Sequence, residues 1–176
     1  GLHELLTGRV VMVSGAGGSI GSELCRQIAK FAPSRLVLFE SSEFSLYRID
    51  EELAQSFLGV VISAWAGDVR DTERVEEVLM AEKPAVIFHA AAYKHVPLME
   101  HGNAWQAVRT NALGTLTLAR AARAAGVDKF VLISTDKAVN PTNVMGASKR
   151  LAERLCRAQQ ATAGTRFVTV RFGNVL

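Results

Sequence analysis

Few cysteines, few prolines and the absence of long apolar runs each exclude a class of protein for this 176-residue sequence. No stretch reaches the roughly 18 uncharged apolar residues that span a bilayer, and "GLHELLTGRVV" does not predict a secretory signal peptide. The two cysteines, Cys25 and Cys156, lie in helical patterns and are predicted to be free thiols rather than a disulfide or metal pair. Four prolines and no low-complexity segment argue against a Pro-rich linker.

Charge of either sign is also modest. Lys and Arg are scattered among acids, as in "RDTERVEEV", without a basic run or interleaved aromatics, so a nucleic-acid partner is disfavoured. The net charge of +3 is compatible with a small anionic ligand. With 49% hydrophobic residues the chain can bury one core. Because it begins with Gly, residues 1–176 are expected to be one domain of a longer protein.

Short apolar runs rich in β-branched residues alternate with longer helical patterns. The predicted strands are Arg9–Ser14, Arg35–Glu40, Val60–Ala64, Ala85–His89, Phe130–Ser134 and Arg166–Arg171. The predicted helices are Ile20–Phe31, Ser45–Gln55, Thr72–Glu82, Asn103–Ala125 and Val144–Ala163. Continuous apolar strands such as "VVMV" and "AVIF" indicate a parallel sheet covered on both faces. The alternation predicts a doubly wound α/β fold, a Rossmann fold, with a substrate-binding part expected beyond residue 176.

A glycine-rich turn, "SGAGGSIG", stands between the first predicted strand and its helix. Gly15, Gly18 and Gly21 allow a tight turn and a close approach of backbone to a pyrophosphate. Ser19 and Ile20 lie in the same first helical turn, where free N–H groups meet an anion. The alternative is a glycine turn that merely connects strand and helix.

An acid ends the second predicted strand, about twenty residues after the glycine turn. At that spacing the Glu40 carboxylate can accept hydrogen bonds from the ribose hydroxyls of a dinucleotide. Ser41 and Ser42 follow it rather than an Arg, so a 2′-phosphate would be repelled. The sequence therefore favours NAD over NADP.

Two later segments fit the same cofactor. Asp68 and Val69 follow the third predicted strand, where a carboxylate and a backbone N–H could bracket an adenine. Small residues end the fourth predicted strand and leave room for the cofactor against the backbone: Ala90, Ala91 and Ala92. The alternatives are a helix N-cap at Asp71 and ordinary core packing of the alanines.

Together "GAGGSIG", Glu40, "GDVRD" and a helical Lys resemble the extended short-chain dehydrogenase/reductase family over essentially the whole chain. "FESSEFSLYRI", "FHAAAYKHVPLME", "TNALGT" and "STDKAVNPTNVMGASKR" look like its polysaccharide-biosynthesis branch of nucleotide-sugar 4,6-dehydratases. The resemblance implies NAD as cofactor and UDP-N-acetylglucosamine as substrate, converted to a 4-keto-6-deoxy sugar. It also implies a cytoplasmic catalytic part, which the longer members tether through N-terminal transmembrane helices.

The resemblance also assigns roles to the segment after the fifth predicted strand. Thr135 would hydrogen-bond the sugar 4-hydroxyl, Asp136 would be the acid for the leaving 6-hydroxyl, and Lys137 would be the base at C5. Acid–base catalysis of a dehydration needs such a pair near C5 and C6. Without the resemblance, Asp136 and Lys137 could be an exposed turn pair.

Met145 stands four residues before Lys149, where many dehydrogenases have a catalytic Tyr. Lys149 would bind the nicotinamide ribose and contribute positive charge. Met145 has no proton to exchange, and the resemblance implies that longer members of the branch share this Met. A relay of the 4-hydroxyl proton through Thr135, aided by an ordered water or Asp136, is hypothesised. The alternative is that Met145 fills the core of a catalytically inactive relative.

The remaining predicted contacts rest on the resemblance as well. Asn111 would order a water near the catalytic Lys, Lys94 would meet a phosphate or be solvated, and Asn174 would contact the nucleotide diphosphate. No metal site is expected, and the histidines are interpreted as packing or surface residues: His89, His95 and His101. Helices 103–125 and 144–163 would pair across a two-fold axis, which predicts a homodimer. A UDP-sugar 4-epimerase and a non-catalytic dinucleotide-binding module remain the alternative functions.

Overall fold

The computed structural model describes residues 1–91, 108–135, 144–160 and 164–172. The strands are β1 (Val10–Ser14), β2 (Arg35–Glu40), β3 (Val61–Ala66), β4 (Val86–His89), β5 (Lys129–Thr135) and β6 (Arg166–Phe172). The helices are α1 (Leu2–Leu6), α2 (Ser19–Ala29), α3 (Glu43–Ser56), α4 (Thr72–Glu82), α5 (Thr115–Ala124) and α6 (Val144–Gln160), and a π-helical turn, Arg109–Gly114, runs directly into α5.

Within the described residues the strands form one parallel six-stranded sheet in the order β3-β2-β1-β4-β5-β6. Val11 of β1 pairs with Leu36 of β2 on one side and with Val86 of β4 on the other. The chain therefore crosses over between β3 and β4, and the direction of winding reverses there. This confirms the predicted doubly wound α/β fold, in which ligands bind beyond the carboxyl ends of the strands near that reversal.

Alternate residues of each central strand enter two separate layers of core. Val11 and Val13 pack towards α2 and α3, while Met12 between them packs towards α4, α5 and α6. The same alternation holds along the other inner strands, because successive side chains of a strand point to opposite faces. The inner strands have uninterrupted apolar runs such as "VVMV" and "AVIF" because both of their faces are covered.

Most boundaries lie within two residues of the predicted ones, and β2 and α4 coincide with them. The structure adds α1, whose five residues are too short for a periodic pattern. It also moves β3 to Val61–Ala66, because pairing with β2 continues as far as Glu40 and Ala66. The predicted helix 103–125 is interrupted in its described part by the π-helical turn.

Side-chain caps explain where two of the helices begin. Ser42 Oγ accepts the backbone N–H of Ser45 at 3.3 Å, so α3 begins two residues before its predicted start. Asp71 Oδ1 accepts the N–H of Arg74 at 3.2 Å, which is the capping role held open above. Among the described helices, none combines the length and apolarity needed to cross a membrane.

Candidate functional site

The predicted site residues that the structure describes gather at the carboxyl edge of the sheet. They follow the ends of four neighbouring strands or lie on the helices packed beside them: Gly15, Gly18, Ser19, Ile20, Gly21, Glu40, Asp68, Val69, Ala90, Ala91, Asn111 and Lys149. The carboxyl ends of parallel strands share one edge, so residues far apart in sequence meet there.

At two positions of the glycine turn, an added Cβ would collide with neighbouring backbone atoms. Gly15 has φ +71°, and a Cβ there would lie 2.7 Å from the backbone nitrogen of Ala91. A Cβ on Gly21 would lie 1.8 Å from the carbonyl oxygen of Gly15, so α2 touches the turn directly. Any side chain at either position would push the helix or the β4 end away. The turn therefore needs glycine at both places.

The N-terminus of α2 opens at this edge. Gly18 is its N-cap and supplies no side-chain acceptor, so the first-turn N–H groups of Ser19, Ile20 and Gly21 keep the orphan character that helix ends have. Such a terminus favours an anion. Gly18 itself is the least crowded of the three predicted glycines, since a Cβ there would meet its nearest atom at 3.4 Å.

Glu40 is held beside that terminus by two backbone donors. Its Oε1 accepts the N–H of Gly17 at 2.8 Å, and its Oε2 accepts the N–H of Ser42 at 2.9 Å. The residue is 9% exposed, its Oε2 also accepts the Ser41 hydroxyl at 3.5 Å, and its Oε1 has a further lone pair for a ligand hydroxyl. Gly17 was not among the predicted residues, although a Cβ there would lie 2.5 Å from Ser45 Cβ.

Asp68 is engaged with a neighbouring arginine. Arg70 donates from Nη2 to Oδ2 at 2.6 Å and from Nε to Oδ1 at 3.0 Å, and its backbone N–H also reaches Oδ1. This guanidinium holds the pKa of the Asp68 carboxyl below its usual range. The Val69 side chain is buried, and a Cβ on Gly114 would lie 2.8 Å from it. The loop after β3 is therefore packed against the π-helical turn.

Two of the predicted alanines, Ala90 and Ala91, pack at the end of β4, and their contact with a cofactor stays a prediction. Ala90 is 7% exposed and donates its N–H to the carbonyl oxygen of Ser14 at 3.0 Å. Ala91 lies against the glycine turn, as the Gly15 contact shows. Small side chains at these positions keep β4 close to the turn and leave its edge open.

Asn111 and Lys149 lie on the other side of the reversal, and each is hydrogen-bonded to a neighbouring element. Asn111 is fully buried in the π-helical turn, and its Nδ2 donates to Ser148 Oγ at 2.9 Å. The adjacent Lys149 on α6 is 5% exposed and donates from Nζ to the carbonyl oxygen of Ile133 at 3.0 Å. These bonds bring α6, β5 and the π-helical turn together at the sheet edge.

Several predicted residues lie outside the described part of the chain: Ala92, Lys94, Asp136, Lys137 and Asn174. Thr135 is the last residue of β5 and Met145 the second residue of α6, and both are described by their backbone alone. Met145 and Lys149 therefore share one helix with four-residue spacing. The assigned roles of these residues stay predictions.

A buried polar group at the ends of β1 and β4 was missed from the sequence. His89 is fully buried and contacts Ser14 Oγ through Nδ1 at 2.6 Å and Thr115 Oγ1 through Nε2 at 3.0 Å. Desolvation, with a smaller contribution from the charge of Lys149, lowers the pKa of His89 to about 3. The signal was a polar residue closing each of two apolar strands, "VVMVS" and "AVIFH".

The donor and acceptor set at this edge fits a dinucleotide. The glycine turn leaves backbone surface that any Cβ would fill, the α2 terminus offers N–H donors to a diphosphate, and Glu40 offers a carboxylate to ribose hydroxyls. Within the described ranges, no cluster of three His, Cys, Asp or Glu residues could hold a metal ion.

Comparisons with known proteins agree with this geometry. A family model described as "Polysaccharide biosynthesis protein" matches residues 11–176. The capsular polysaccharide biosynthesis protein CapD of Staphylococcus aureus is 49% identical over 97% of this chain, which spans 29% of CapD. A UDP-N-acetylglucosamine 4,6-dehydratase (inverting) of Campylobacter jejuni is 34% identical over 98% of this chain, which spans 51% of it. UDP-glucose 4-epimerases of Rickettsia also match, at 31–34% identity.

Among solved structures, a dTDP-glucose 4,6-dehydratase of Streptomyces venezuelae, a double mutant with NAD bound, superposes with a TM-score of 0.79. It is 26% identical, and the match covers 92% of this chain and 54% of that one. The chain thus spans from under a third to about half the length of the relatives it matches.

Proposed function

Since this chain belongs to the polysaccharide biosynthesis protein family, we propose that residues 1–176 form the dinucleotide-binding part of a nucleotide-sugar 4,6-dehydratase. The proposed substrate is UDP-N-acetylglucosamine and the proposed cofactor NAD. The observation that carries the cofactor proposal is the Glu40 carboxylate, fixed by the N–H groups of Gly17 and Ser42 beside an α2 terminus without a side-chain cap.

NAD is proposed over NADP on electrostatic grounds. Glu40 is a carboxylate at the place where the adenosine ribose would lie, and its two backbone donors hold it in position. A ribose 2′-phosphate would be brought against that negative charge, whereas 2′- and 3′-hydroxyls would donate to it. The NAD-bound Streptomyces dehydratase supports a nicotinamide cofactor without choosing between the two.

The dehydration is proposed from "STDK", which begins with the last two residues of β5, and from the 34% identical dehydratase of Campylobacter. When bound, NAD would supply the hydride acceptor for C4 of the sugar and the hydride donor for C6. Lys137 removes the C5 proton, which the new C4 ketone makes acidic, and Asp136 protonates the 6-hydroxyl as it leaves as water. Thr135 accepts a hydrogen bond from the 4-hydroxyl and, in place of the absent Tyr, relays that proton to an ordered water or to the Asp136 carboxylate.

Lys149 and Asn111 would serve the nicotinamide side of the site. The Lys149 ammonium is buried and anchored to the Ile133 carbonyl, so a positive charge is held at the sheet edge. The side-chain amide of Asn111 donates to Ser148, the residue before Lys149. We propose that Lys149 binds the nicotinamide ribose and that Asn111 orders the water beside it.

The test is to incubate the complete gene product with UDP-N-acetylglucosamine and NAD. A 4-keto-6-deoxy product is expected. UDP-N-acetylgalactosamine would instead indicate the 4-epimerase, which the Rickettsia relatives keep as the second candidate. Cofactor binding without turnover would indicate a non-catalytic module.

A second measurement addresses the base. In deuterated solvent, Lys137→Ala is expected to abolish deuterium uptake at C5 of the sugar, because no other base is assigned there. Lys30→Ala, at an exposed lysine following α2, is the matched control and should retain wild-type uptake. Undiminished uptake in Lys137→Ala would refute the assignment.

A further inference from the structure

A continuous buried hydrogen-bond chain links the glycine-turn side of the site to its lysine side. It runs from the Ala90 N–H to Ser14 Oγ (3.2 Å), to His89 Nδ1 (2.6 Å) and from His89 Nε2 to Thr115 Oγ1 (3.0 Å). Thr115 Oγ1 donates to the backbone carbonyl oxygen of Asn111 (2.6 Å), and the side-chain Nδ2 of Asn111 donates to Ser148 Oγ (2.9 Å). Each side chain in the chain is at most 3% exposed.

The direction of every hydrogen in this chain follows from its ends. The Asn111 carbonyl oxygen only accepts, so the Thr115 hydroxyl donates its one hydrogen there. Thr115 Oγ1 must then accept from His89 Nε2–H, and because burial keeps the imidazole neutral, Nδ1 is an acceptor for the Ser14 hydroxyl. Ser14 Oγ in turn accepts the Ala90 N–H. The imidazole is therefore a neutral Nε2–H tautomer, and its lowered pKa agrees with this.

At the end of the π-helical turn, the Thr115 hydroxyl replaces a backbone hydrogen bond of a regular α-helix. The backbone N–H of Thr115 donates to the Ala112 carbonyl, not to the Asn111 carbonyl that a regular α-helix would pair with it. The side-chain hydroxyl donates to that Asn111 carbonyl instead. Turns of this kind occur as local insertions in helices, frequently at functional sites. Here the hydroxyl supplies the substitute donor for the Asn111 backbone carbonyl.

We propose that His89 and Thr115 are positioning residues for the reaction, which keep the Asn111 amide on Ser148 and so hold Lys149 at the sheet edge. This inference rests on the proposed function for its catalytic consequence. In this proposal, His89 and Thr115 contact neither the sugar nor the cofactor. They act through Asn111, by fixing the π-helical turn in the one arrangement that aims its side chain at α6.

The test compares Thr115→Val, which keeps the shape and removes the hydroxyl, with Thr115→Ser, which keeps the hydroxyl. In the complete gene product, Thr115→Val should lower kcat by at least about tenfold while the Kd for NAD changes less than about threefold. Thr115→Ser should restore kcat to within about threefold of wild type. Thr117→Val, the same change two residues further along α5, is the control and should leave both constants unchanged.

A readout independent of turnover separates this inference from the proposed function. The Asn111 side-chain amide should be protected from hydrogen exchange in wild type and Thr115→Ser, and lose that protection in Thr115→Val. Unchanged protection, or kcat within twofold of wild type, would overturn the positioning role. A wild-type protein without dehydratase activity but with the protection pattern would overturn the proposed function alone.

Should Thr115→Val fail to fold, Ser14→Ala tests the other end of the chain. Without the Ser14 donor, His89 can take the Nδ1–H tautomer and accept the Thr115 hydroxyl, which releases the Asn111 carbonyl. A loss of Asn111 amide protection in folded Ser14→Ala supports the proposal, and full retention contradicts it. The tautomer itself is read from the imidazole nitrogen resonances of His89.

Discussion

The backbone N–H of Gly17 donates to Glu40 Oε1 at 2.8 Å, so the glycine turn after β1 is tied to the end of β2 by a charged acceptor. A hydrogen bond to a charged group contributes more than a neutral one, about 1.5–3 kcal/mol. The same carboxylate that would bind a ribose therefore also shapes the turn that would bind the diphosphate. If Glu40 binds the ribose as proposed, this one side chain couples cofactor affinity to the local order of the turn.

Glu40→Ala is expected to weaken NAD binding by at least about tenfold, because it removes the ribose acceptor and loosens the turn together. It should also narrow the preference for NAD over NADP, since the negative charge facing a 2′-phosphate is gone. Calorimetric titration with both nucleotides measures this. Glu43→Ala, at an exposed acid in the first turn of α3, is the control. An unchanged ratio of the two Kd values would contradict the electrostatic explanation.

Gly15→Ala is expected to destabilise the fold more than Gly8→Ala, although both glycines have φ +71°. The backbone strain is common to the two substitutions and costs about 1–2 kcal/mol. Only at Gly15 does the added Cβ also meet the Ala91 backbone, at 2.7 Å, whereas nothing lies within 4 Å at Gly8. Urea unfolding, with and without NAD, measures the free energy of unfolding of each variant. Equal losses would show that the contact with the β4 end has relaxed.

Stability is expected to fall as the pH drops below about 6.5, the ordinary pKa of the imidazole, towards about 3, its pKa at His89 in the folded chain. Between these values the unfolded chain binds a proton at His89 that the native chain does not, so acid favours unfolding. Burial is the main cause of the lowered pKa of His89, and within the described residues the positive charge of Lys149 lowers it further.

Replacing His89 by Gln should flatten this pH dependence, since Gln does not titrate. The free energy of unfolding, measured from pH 7.5 to pH 4, gives the slope. His3→Gln, at an exposed histidine in α1, should keep the wild-type slope. A slope unchanged in His89→Gln would assign the acid sensitivity to other groups.

Leu113 and Leu151 are 46% and 43% exposed, the first at the π-helical turn before α5 and the second on α6. The predicted homodimer pairs the helical segments 103–125 and 144–163, which contain these two leucines, across a two-fold axis. Leu151→Glu should shift the complete gene product towards monomer in analytical ultracentrifugation, because a buried charge opposes apolar association. Leu58→Glu, at an 88% exposed leucine after α3, should not. If both variants keep the wild-type mass, the dimer uses another face.

The sequence predicted the sheet well because burial on both faces leaves an uninterrupted apolar signature. It predicted Glu40 and the glycine turn because their chemistry is set by local spacing. It did not predict Gly17 as the donor to Glu40, since that contact depends on how β2 lies beside β1. The Asp68–Arg70 pair was missed for a related reason, because side-chain orientation two residues apart in a loop leaves no periodic trace.

His89 shows a different limit. It was interpreted as a packing or surface residue, and burial is correct, but its bonds to Ser14 and Thr115 join positions 75 and 26 residues away. A polar residue at the end of an apolar strand signals only that some partner exists. Which partner, and which tautomer, is decided by the neighbouring strand and by a π-helical turn that no hydrophobic period reveals.

The two thiols of this chain have a practical consequence. Cys25 and Cys156 are both buried, and burial raises the pKa of Cys156 to about 12 and that of Cys25 further still, so neither is a thiolate at neutral pH. Maleimide reagents react with thiolates and need access to them. A cysteine placed at an exposed position such as Glu43 would be the one site in this chain to take a fluorophore, with no need to remove the native pair.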